Sequence, residues 1–208
     1  MGSISGIILA AGESTRMGSL KALLPWHGLT LIEYQVESLK SAGVSDVVVV
    51  VGHRADEVGT PIRFKRGVKV VLNPDYKQGK VTSVKAGLRN LSNDCDVIVV
   101  LAVDQPRPAK LLASLIEAHV GNNLLVTYPV YQGSTGHPLI FDCSLLPELL
   151  AITEEEQGLR AITRRYVEYT YQMDVDNPIV LADVNSPGDL SKARGLFLAE
   201  GEFLEHKT

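Results

Sequence analysis

The sequence predicts an α/β fold, a mostly parallel sheet between two helical layers that gives way to a mixed second half. Three observations carry this expectation. The runs "VVVVV" and "VIVVLAV" are continuous valine, isoleucine and leucine without polar alternation, so both faces of those strands are buried. Segments of helical periodicity lie between the runs. Each run also opens into a stretch rich in glycine, asparagine, aspartate or proline, where chains turn.

Taken in order, "SGIILA" (residues 5–10) is the first strand. "TLIEYQVESLKSAG" (30–43) follows as a helix, with Thr30 as N-cap, Glu33 completing a capping box and Gly43 as its stop. Its apolar stripe is Leu31, Ile32, Val36 and Leu39. "SDVVVVVG" and "VKVVLN" are strands, "VTSVKAGLRNL" (81–91) is helical, and "DVIVVLAVD" is the fourth strand. In the second half, "LLVTYPVY" and "GHPLIF" are shorter strands separated by the turn-like "QGST". "YVEYTYQMDVD" (166–176) alternates strictly, with Val167, Tyr169, Tyr171, Met173 and Val175 on one face, and reads as an edge or antiparallel strand. "SPGDLSKARGLFLA" is a final helix capped by Ser186 with Pro187 in its first turn.

Composition narrows the class of molecule. A chain of 208 residues with 45% hydrophobic content supports one well-buried domain, expected over residues 1–200, with 201–208 as a frayed tail. A net charge of -4 gives no reason to expect nucleic acid or a membrane as partner. Cys95 and Cys143 have neither metal-ligand nor redox spacing and are expected reduced in the core. The first strand begins almost at Met1, which leaves no room for a signal peptide, and the apolar runs are too short for a membrane span. A cytoplasmic location is the expectation.

In an open α/β sheet, ligands bind beyond the carboxyl ends of the strands. Four polar segments fall there: the loop in "LAAGESTRMGSLKALLP", "GHRAD", "NPDYKQGKVTS" and "DQPRP". In the first, Gly12 and Gly18 are expected to turn backbone N–H groups inward, while Arg16 and Lys21 bring charge for phosphate oxygens. The loop is not a Walker A motif, because Lys21 lies three residues beyond Gly18. It is not a dinucleotide fingerprint either, because no G-x-G occurs, and a dinucleotide-dependent oxidoreductase is rejected on that ground. Asp104 ends a buried apolar strand, a position that suits a hard divalent cation and phosphate, although an Asp there also serves to cap a helix starting near Pro108. His27, His53, His119 and His206 show no metal spacing.

The string "LAAGESTRMGSLKALLP" resembles the signature of the MobA-like nucleoside triphosphate transferases. "NPDYKQGKVTSVKAGL", "DQP", "PVYQGSTGHPLIF" and "DVNSPGDL" resemble the branch containing molybdenum cofactor cytidylyltransferase, in the same order over residues 4–190. The resemblance implies a glycosyltransferase-A-like fold with a nucleotide-binding half (1–107) and an acceptor-binding half (108–200). It implies that Leu9, Ala10, Ala11 and Gly12 hold base and ribose, that Arg16 and Lys21 hold the triphosphate, and that Gly79 and Ser83 lie beside the base. Helix capping by Gly79 and Thr82 accounts for that last stretch as well. Ala11 stands where guanylyl-transferring relatives often have glycine, which favours CTP over GTP.

By the same resemblance Asp104 binds Mg²⁺, with Asp183 or Asn185 as second ligand; Asn185 replaces the Asp common in that branch. His137 and Arg160 fall on the acceptor side. Thr135 stands where the family usually has Arg before Gly-His-Pro, and Glu156, Gly158 and Arg160 align with a Gly-Asp-x-Gly-Ala-Arg segment. A lone Arg160 at a helix start is also compatible with simple solvation. The implied reaction transfers CMP from CTP to the molybdopterin cofactor and releases pyrophosphate, with Lys21, Arg16 and Asp104 as the catalytic group and a molybdenum hydroxylase as a receiver of product. The alternatives are a relative using GTP or a sugar or polyol phosphate, and a non-catalytic molybdenum cofactor chaperone.

Overall fold

The computed structural model describes residues 2–122 and 124–199; the tail from Gly201, with His206, lies outside the described residues. The chain opens with β1 (Ser3–Ala10), then a two-stranded hairpin of β2 (Pro25–Trp26) and β3 (Leu29–Thr30). α1 (Leu31–Ser41), β4 (Asp46–Val51), the short α2 (Ala55–Gly59), β5 (Val68–Leu72), α3 (Lys80–Leu88) and β6 (Cys95–Ala102) complete the first half. α4 (Ala109–Asn122), β7 (Val126–Tyr131), β8 (Ser134–Thr135), β9 (Leu139–Asp142), α5 (Leu146–Ala151), α6 (Leu159–Arg165), β10 (Thr170–Asp174) and α7 (Pro187–Ala199) follow.

The main sheet runs β10-β7-β9-β6-β1-β4-β5, with β8 paired to β7. β5, β4, β1 and β6 are mutually parallel, while β9 is antiparallel to both of its neighbours. The α/β architecture with a mixed second half is therefore as expected. After β1 the chain builds β4 and β5 on one side and returns to place β6 on the other. That reversal opens a crevice at the carboxyl ends of β1 and β6.

The unbroken aliphatic runs work as a two-faced layer. Val47, Val49 and Val51 of β4 join Ile8, Val99 and Leu101 in a core covered by α1 and α4. Val48 and Val50, with Ile7, Ile98 and Val100, face a second core that holds Val84 of α3, Leu149 of α5 and Ile162 of α6. A third cluster sets Phe197 of α7 edge-on to Trp26 of the hairpin, at 5.0 Å between ring centroids. It also buries Val180, Ala182 and Val184, and so presses the segment before α7 onto the carboxyl end of β6, where Val184 N–H donates to Asp104 O.

Local signals act as predicted at two helix starts. Thr30 Oγ1 accepts from Glu33 N–H and Thr30 N–H donates to Glu33 Oε2 at 2.9 Å, a closed capping box. Ser186 Oγ accepts from Asp189 N–H at 3.2 Å. The expected long strand over 166–176 is a correction. Val167–Tyr169 is a 3-10 turn continuing from α6, and only Thr170–Asp174 pairs, as an edge strand parallel to β7. The alternation was legible because Tyr171, Met173 and Val175 are half-buried, but Val167 and Tyr169 are more than half exposed. Both cysteines are free thiols. Cys95 is buried and Cys143 only partly so, with its thiol pushed up to about 12 by burial and by the neighbouring Cys95. No helix among the described residues is long and apolar enough to cross a membrane.

Candidate active site

At the carboxyl ends of β1 and β6 lies a cavity of about 330 Å³ lined by Leu9 to Gly12, Ser14, Lys21, Tyr76, Gly79, Lys80, Ser83 and Asp104, among others. Its floor is the end of β1. His53 N–H donates to Ala11 O at 3.0 Å, and Gly52 lies so close that a Cβ there would sit 2.9 Å from both Ala11 Cβ and Ala11 O. The backbone of Ala11 is thus held from below by a residue that has to be glycine.

The loop after β1 does not work as its glycines suggest. The left-handed positions are Ser14 (φ 56) and Gly18 (φ 66), whereas Gly12 has no positive φ. A Cβ on Gly12 would meet nothing within 4 Å. Neither backbone conformation nor packing within the chain demands a glycine there. Ser14 Oγ accepts from Lys21 N–H at 3.2 Å and so ties the two ends of the loop together.

Lys21, only 11% exposed, is where the charged groups converge. Its Nζ donates to Asp104 Oδ2 at 2.8 Å and to Asn185 Oδ1 at 2.7 Å; Arg16 Nη2 donates to the same Asn185 oxygen at 3.3 Å. Two cations fix the amide of Asn185 with its oxygen inward. Asp183 does not join that pair. It is engaged by Gln105, and its carboxyl sits above the usual range because the cleft desolvates it and Asp104 lies close, with Gln105 and Arg107 opposing the shift. The structure thus brings Arg16, Lys21, Asp104 and Asn185 together and sets Asp183 beside them. Among the described residues no group of three His, Cys, Asp or Glu forms a metal cage. The donor set still fits Mg²⁺, which uses one or two carboxylates and takes its remaining oxygens from water and phosphate. Asp104 and Asn185 already aim two hard oxygens at one cationic point.

Several residues that position this site escaped the sequence reading. Arg107 is fully buried and clamps three segments. Its Nε donates to His137 O at 2.8 Å, Nη1 to Pro106 O at 2.7 Å and Ala182 O at 2.8 Å, and Nη2 to Val180 O at 2.7 Å. Burial brings its pKa down to about 10, against the attraction of Asp183 and Asp104. Gln35, fully buried on α1, donates to Gln105 O at 2.7 Å and Ala102 O at 3.1 Å and pins the turn that carries Asp104. A polar residue inside the apolar stripe of that helix was the available signal. Asn73, just after β5, donates to Ser83 Oγ and Thr82 Oγ1, both at 2.9 Å, so the Ser83 oxygen is an acceptor there and its own proton is left for another partner.

On the far wall, Gln105 Oε1 accepts from Ala102 N–H at 3.1 Å, so its amide nitrogen faces His137 Nδ1 at 3.1 Å. His137 is then a neutral imidazole with its proton on Nε2. Burial and the cations Arg107, Lys80 and Arg160 bring its pKa down to about 3. Arg160, in the first turn of α6, is exposed like Thr135 and Glu156, but its charge acts on His137. Glu154 Oε1 accepts from Val81 N–H at 2.6 Å and docks the loop before α6 on the start of α3.

Comparison with known proteins agrees with this geometry. Residues 6–170 match the family model described as the MobA-like NTP transferase domain. The chain is 26% identical over 202 residues to the molybdenum cofactor cytidylyltransferase of Escherichia coli (strain K12), covering 93% of this chain and 97% of that one. It is 30% identical over 169 residues to the nicotine blue oxidoreductase of Paenarthrobacter nicotinovorans, covering 78% and 82%. Among solved structures, a nucleotidyl transferase from Methanothermobacter thermautotroptrophicus superposes with a TM-score of 0.79 at 28% identity, over 95% of this chain and 99% of that one.

Proposed function

Because the chain belongs to the MobA-like NTP transferase family, with the nucleotidyltransferase activity of that family, we propose that it transfers CMP from CTP to molybdopterin and releases pyrophosphate. The observation that carries the reading is the convergence of Lys21, Asp104 and Asn185 at the mouth of a cavity walled by residues 9–12. The likeness to the cytidylyltransferase along nearly the whole of both chains supports the acceptor, and Ala11 supports the base.

In the proposed reaction a terminal phosphate oxygen of the acceptor forms a bond to the α-phosphorus of CTP. The bond from that phosphorus to the bridging oxygen breaks, and pyrophosphate leaves with the electron pair. A phosphate monoester is already an anion, so no side chain has to remove a proton. The work of the protein is in-line positioning and neutralisation of charge. Gly12, bare of a side chain that the fold would tolerate, allows the nucleotide close to the backbone. Ser83 offers its hydroxyl proton to an acceptor atom on the base. Lys21 and Arg16 are the cations for the triphosphate, and Asp104 with Asn185 or Asp183 would hold Mg²⁺. When bound, that ion supplies charge neutralisation and orientation to the phosphate oxygens. Lys21 is then free to exchange its bonds to Asp104 and Asn185 for phosphate oxygens.

Lys21→Ala and Asp104→Ala are each expected to lower turnover by roughly 10²–10³, the loss of one electrostatic stabiliser. The assay is pyrophosphate release from CTP, GTP, ATP and UTP, each with Mg²⁺ and with molybdopterin or a panel of sugar phosphates. Undiminished release in both variants would refute the site. Turnover with a sugar phosphate alone would refute the acceptor, turnover with GTP alone the base, and binding of CTP without turnover would make the protein a carrier. For an oxidoreductase reading, as in the name of the nicotine blue relative, this sequence offers no G-x-G-x-x-G dinucleotide fingerprint.

A further inference from the structure

We propose that Lys80 is a specificity-determining residue of the acceptor side, binding the acceptor's own phosphate together with Arg160, in addition to the Lys21 and Arg16 pair. This rests on the nucleotidyltransferase reading above and adds to it a residue that the motif comparison does not supply.

Lys80 is the first residue of α3 and lines the same cavity as Lys21, Ser83 and Asp104. It makes no hydrogen bond or ion pair among the described residues. Helix stability does not account for it. A cation in the first turn is repelled by the helix macrodipole, and the turn itself contains no acidic residue to pair with it. The peptide N–H of Val81 is already taken by Glu154, so the helix terminus itself is not the binding element.

The charge of Lys80 is felt inward. Its side chain lines the cavity beside Ser83 and Asp104, and its positive charge reaches His137. The other cations nearby are committed. Lys21 is bonded to Asp104 and Asn185, Arg16 to Asn185, and Arg107 to four backbone carbonyls. His137 is neutral. Arg160 remains, with no side-chain hydrogen bond or ion pair among the described residues, and its charge also reaches His137.

The segments that carry the two uncommitted cations, whose side chains are exposed, are joined by packing. Glu154 bonds to Val81 N–H, and Gly158 fits so closely that a Cβ there would lie 3.0 Å from Val81 Cγ2. The loop leading to Arg160 is thereby fixed against the first turn of α3, which carries Lys80. A pair of cations apart from the triphosphate pair matches a second anion, and a phosphate monoester dianion better than a neutral hydroxyl.

The test uses the full chain with Mg²⁺, saturated with the best-bound of the four α,β-methylene nucleoside triphosphates, and titrated with methyl phosphate by calorimetry. The wild-type complex binds methyl phosphate. Lys80→Met weakens that binding roughly tenfold or more, the loss of one charge-assisted hydrogen bond, while nucleotide affinity and melting temperature stay unchanged. Lys80→Arg restores most of it. Equal binding by wild type and Lys80→Met, or no binding by wild type, overturns the proposal. Loss of nucleotide affinity in Lys80→Met overturns it too, because it assigns Lys80 to the triphosphate. A wild-type chain that binds none of the nucleotide analogues defeats the underlying reading and this inference with it.

Discussion

Replacing Arg107 with methionine removes a guanidinium that holds three segments together. Four backbone carbonyls accept from it, at 2.7–2.8 Å. Val180 O retains the N–H of His137 at 3.1 Å, so the carbonyls of Pro106, His137 and Ala182 are the ones that lose a donor. A buried acceptor left unsatisfied costs about 1–3 kcal/mol, or roughly 3–9 kcal/mol for three. Against this stands the relief of burying a charge. A pKa lowered from 12.5 to about 10 corresponds to about 3 kcal/mol at about 1.4 kcal/mol per unit. The net expectation is a loss of about 3 kcal/mol, read as a fall in melting temperature of roughly 6–12 °C for a chain of this size. The turn that carries Asp104 and the segment that leads to Asp183 also lose their tie to one another, so nucleotide binding weakens in the same variant. Arg107→Lys keeps the charge with a single donor head and falls between the two. Thermal and urea unfolding, with and without nucleotide, measure all of this. A methionine variant within about 1 kcal/mol of wild type and with unchanged nucleotide affinity would show that the clamp does not organise the site.

Two further outcomes follow from the same geometry. Gly52→Ala drives a Cβ to 2.8 Å from Tyr76 Cγ and 2.9 Å from Ala11; it should cost about 1–3 kcal/mol and weaken nucleotide binding through Ala11, which fails if the apo melting temperature is unaltered. His137 has a folded pKa of about 3 against an ordinary 6.5. Between those values the unfolded chain binds the extra proton, so stability is complete above pH 6.5 and is lost as pH falls toward 3. The contribution to the slope approaches about 1.4 kcal/mol per pH unit. His137→Asn removes that one-proton share, while His27 and His119, shifted in the same direction by burial, keep theirs. An identical pH–stability slope in variant and wild type would refute the buried neutral assignment.

Much of this molecule can be read from local pattern. The aliphatic runs from Val47 to Val51 and from Val97 to Leu101 can only be strands covered on both faces, because a single-faced strand would alternate. Thr30 with Glu33, and Ser186 before Pro187, mark helix starts by bonds spanning three residues. The strand expected over residues 166–176 shows where pattern misleads: Val167 and Tyr169 continue the alternation of β10 by residue type alone, while the backbone is still turning out of α6.

Arg16, Lys21, Asp104 and Asn185 were each legible as chemistry-bearing residues because strand ends and motif spacing are properties of the chain in one dimension. Their meeting is not. Asn185 reaches Lys21 across 164 positions because α7 packs on the hairpin and presses the preceding segment against the end of β6. Asn73, Gln105 and Arg107 lay within quoted segments and Gln35 within a helix, but none had a role that the sequence announced, since each acts by bonding to backbone or to a side chain brought close only by folding. The sequence by itself determined the layered sheet, its helix caps and the glycine loop with two cations, all of which depend on neighbours within a few residues. Only the tertiary structure decided that Gly12 is spared a side chain that the fold does not forbid, that Asn185 rather than Asp183 faces Lys21, and that Lys80 stands uncommitted in the cavity that Lys21 also lines. Hydrogen bonds, burial and electric fields depend on distance in space, and a sequence carries distance only along the chain.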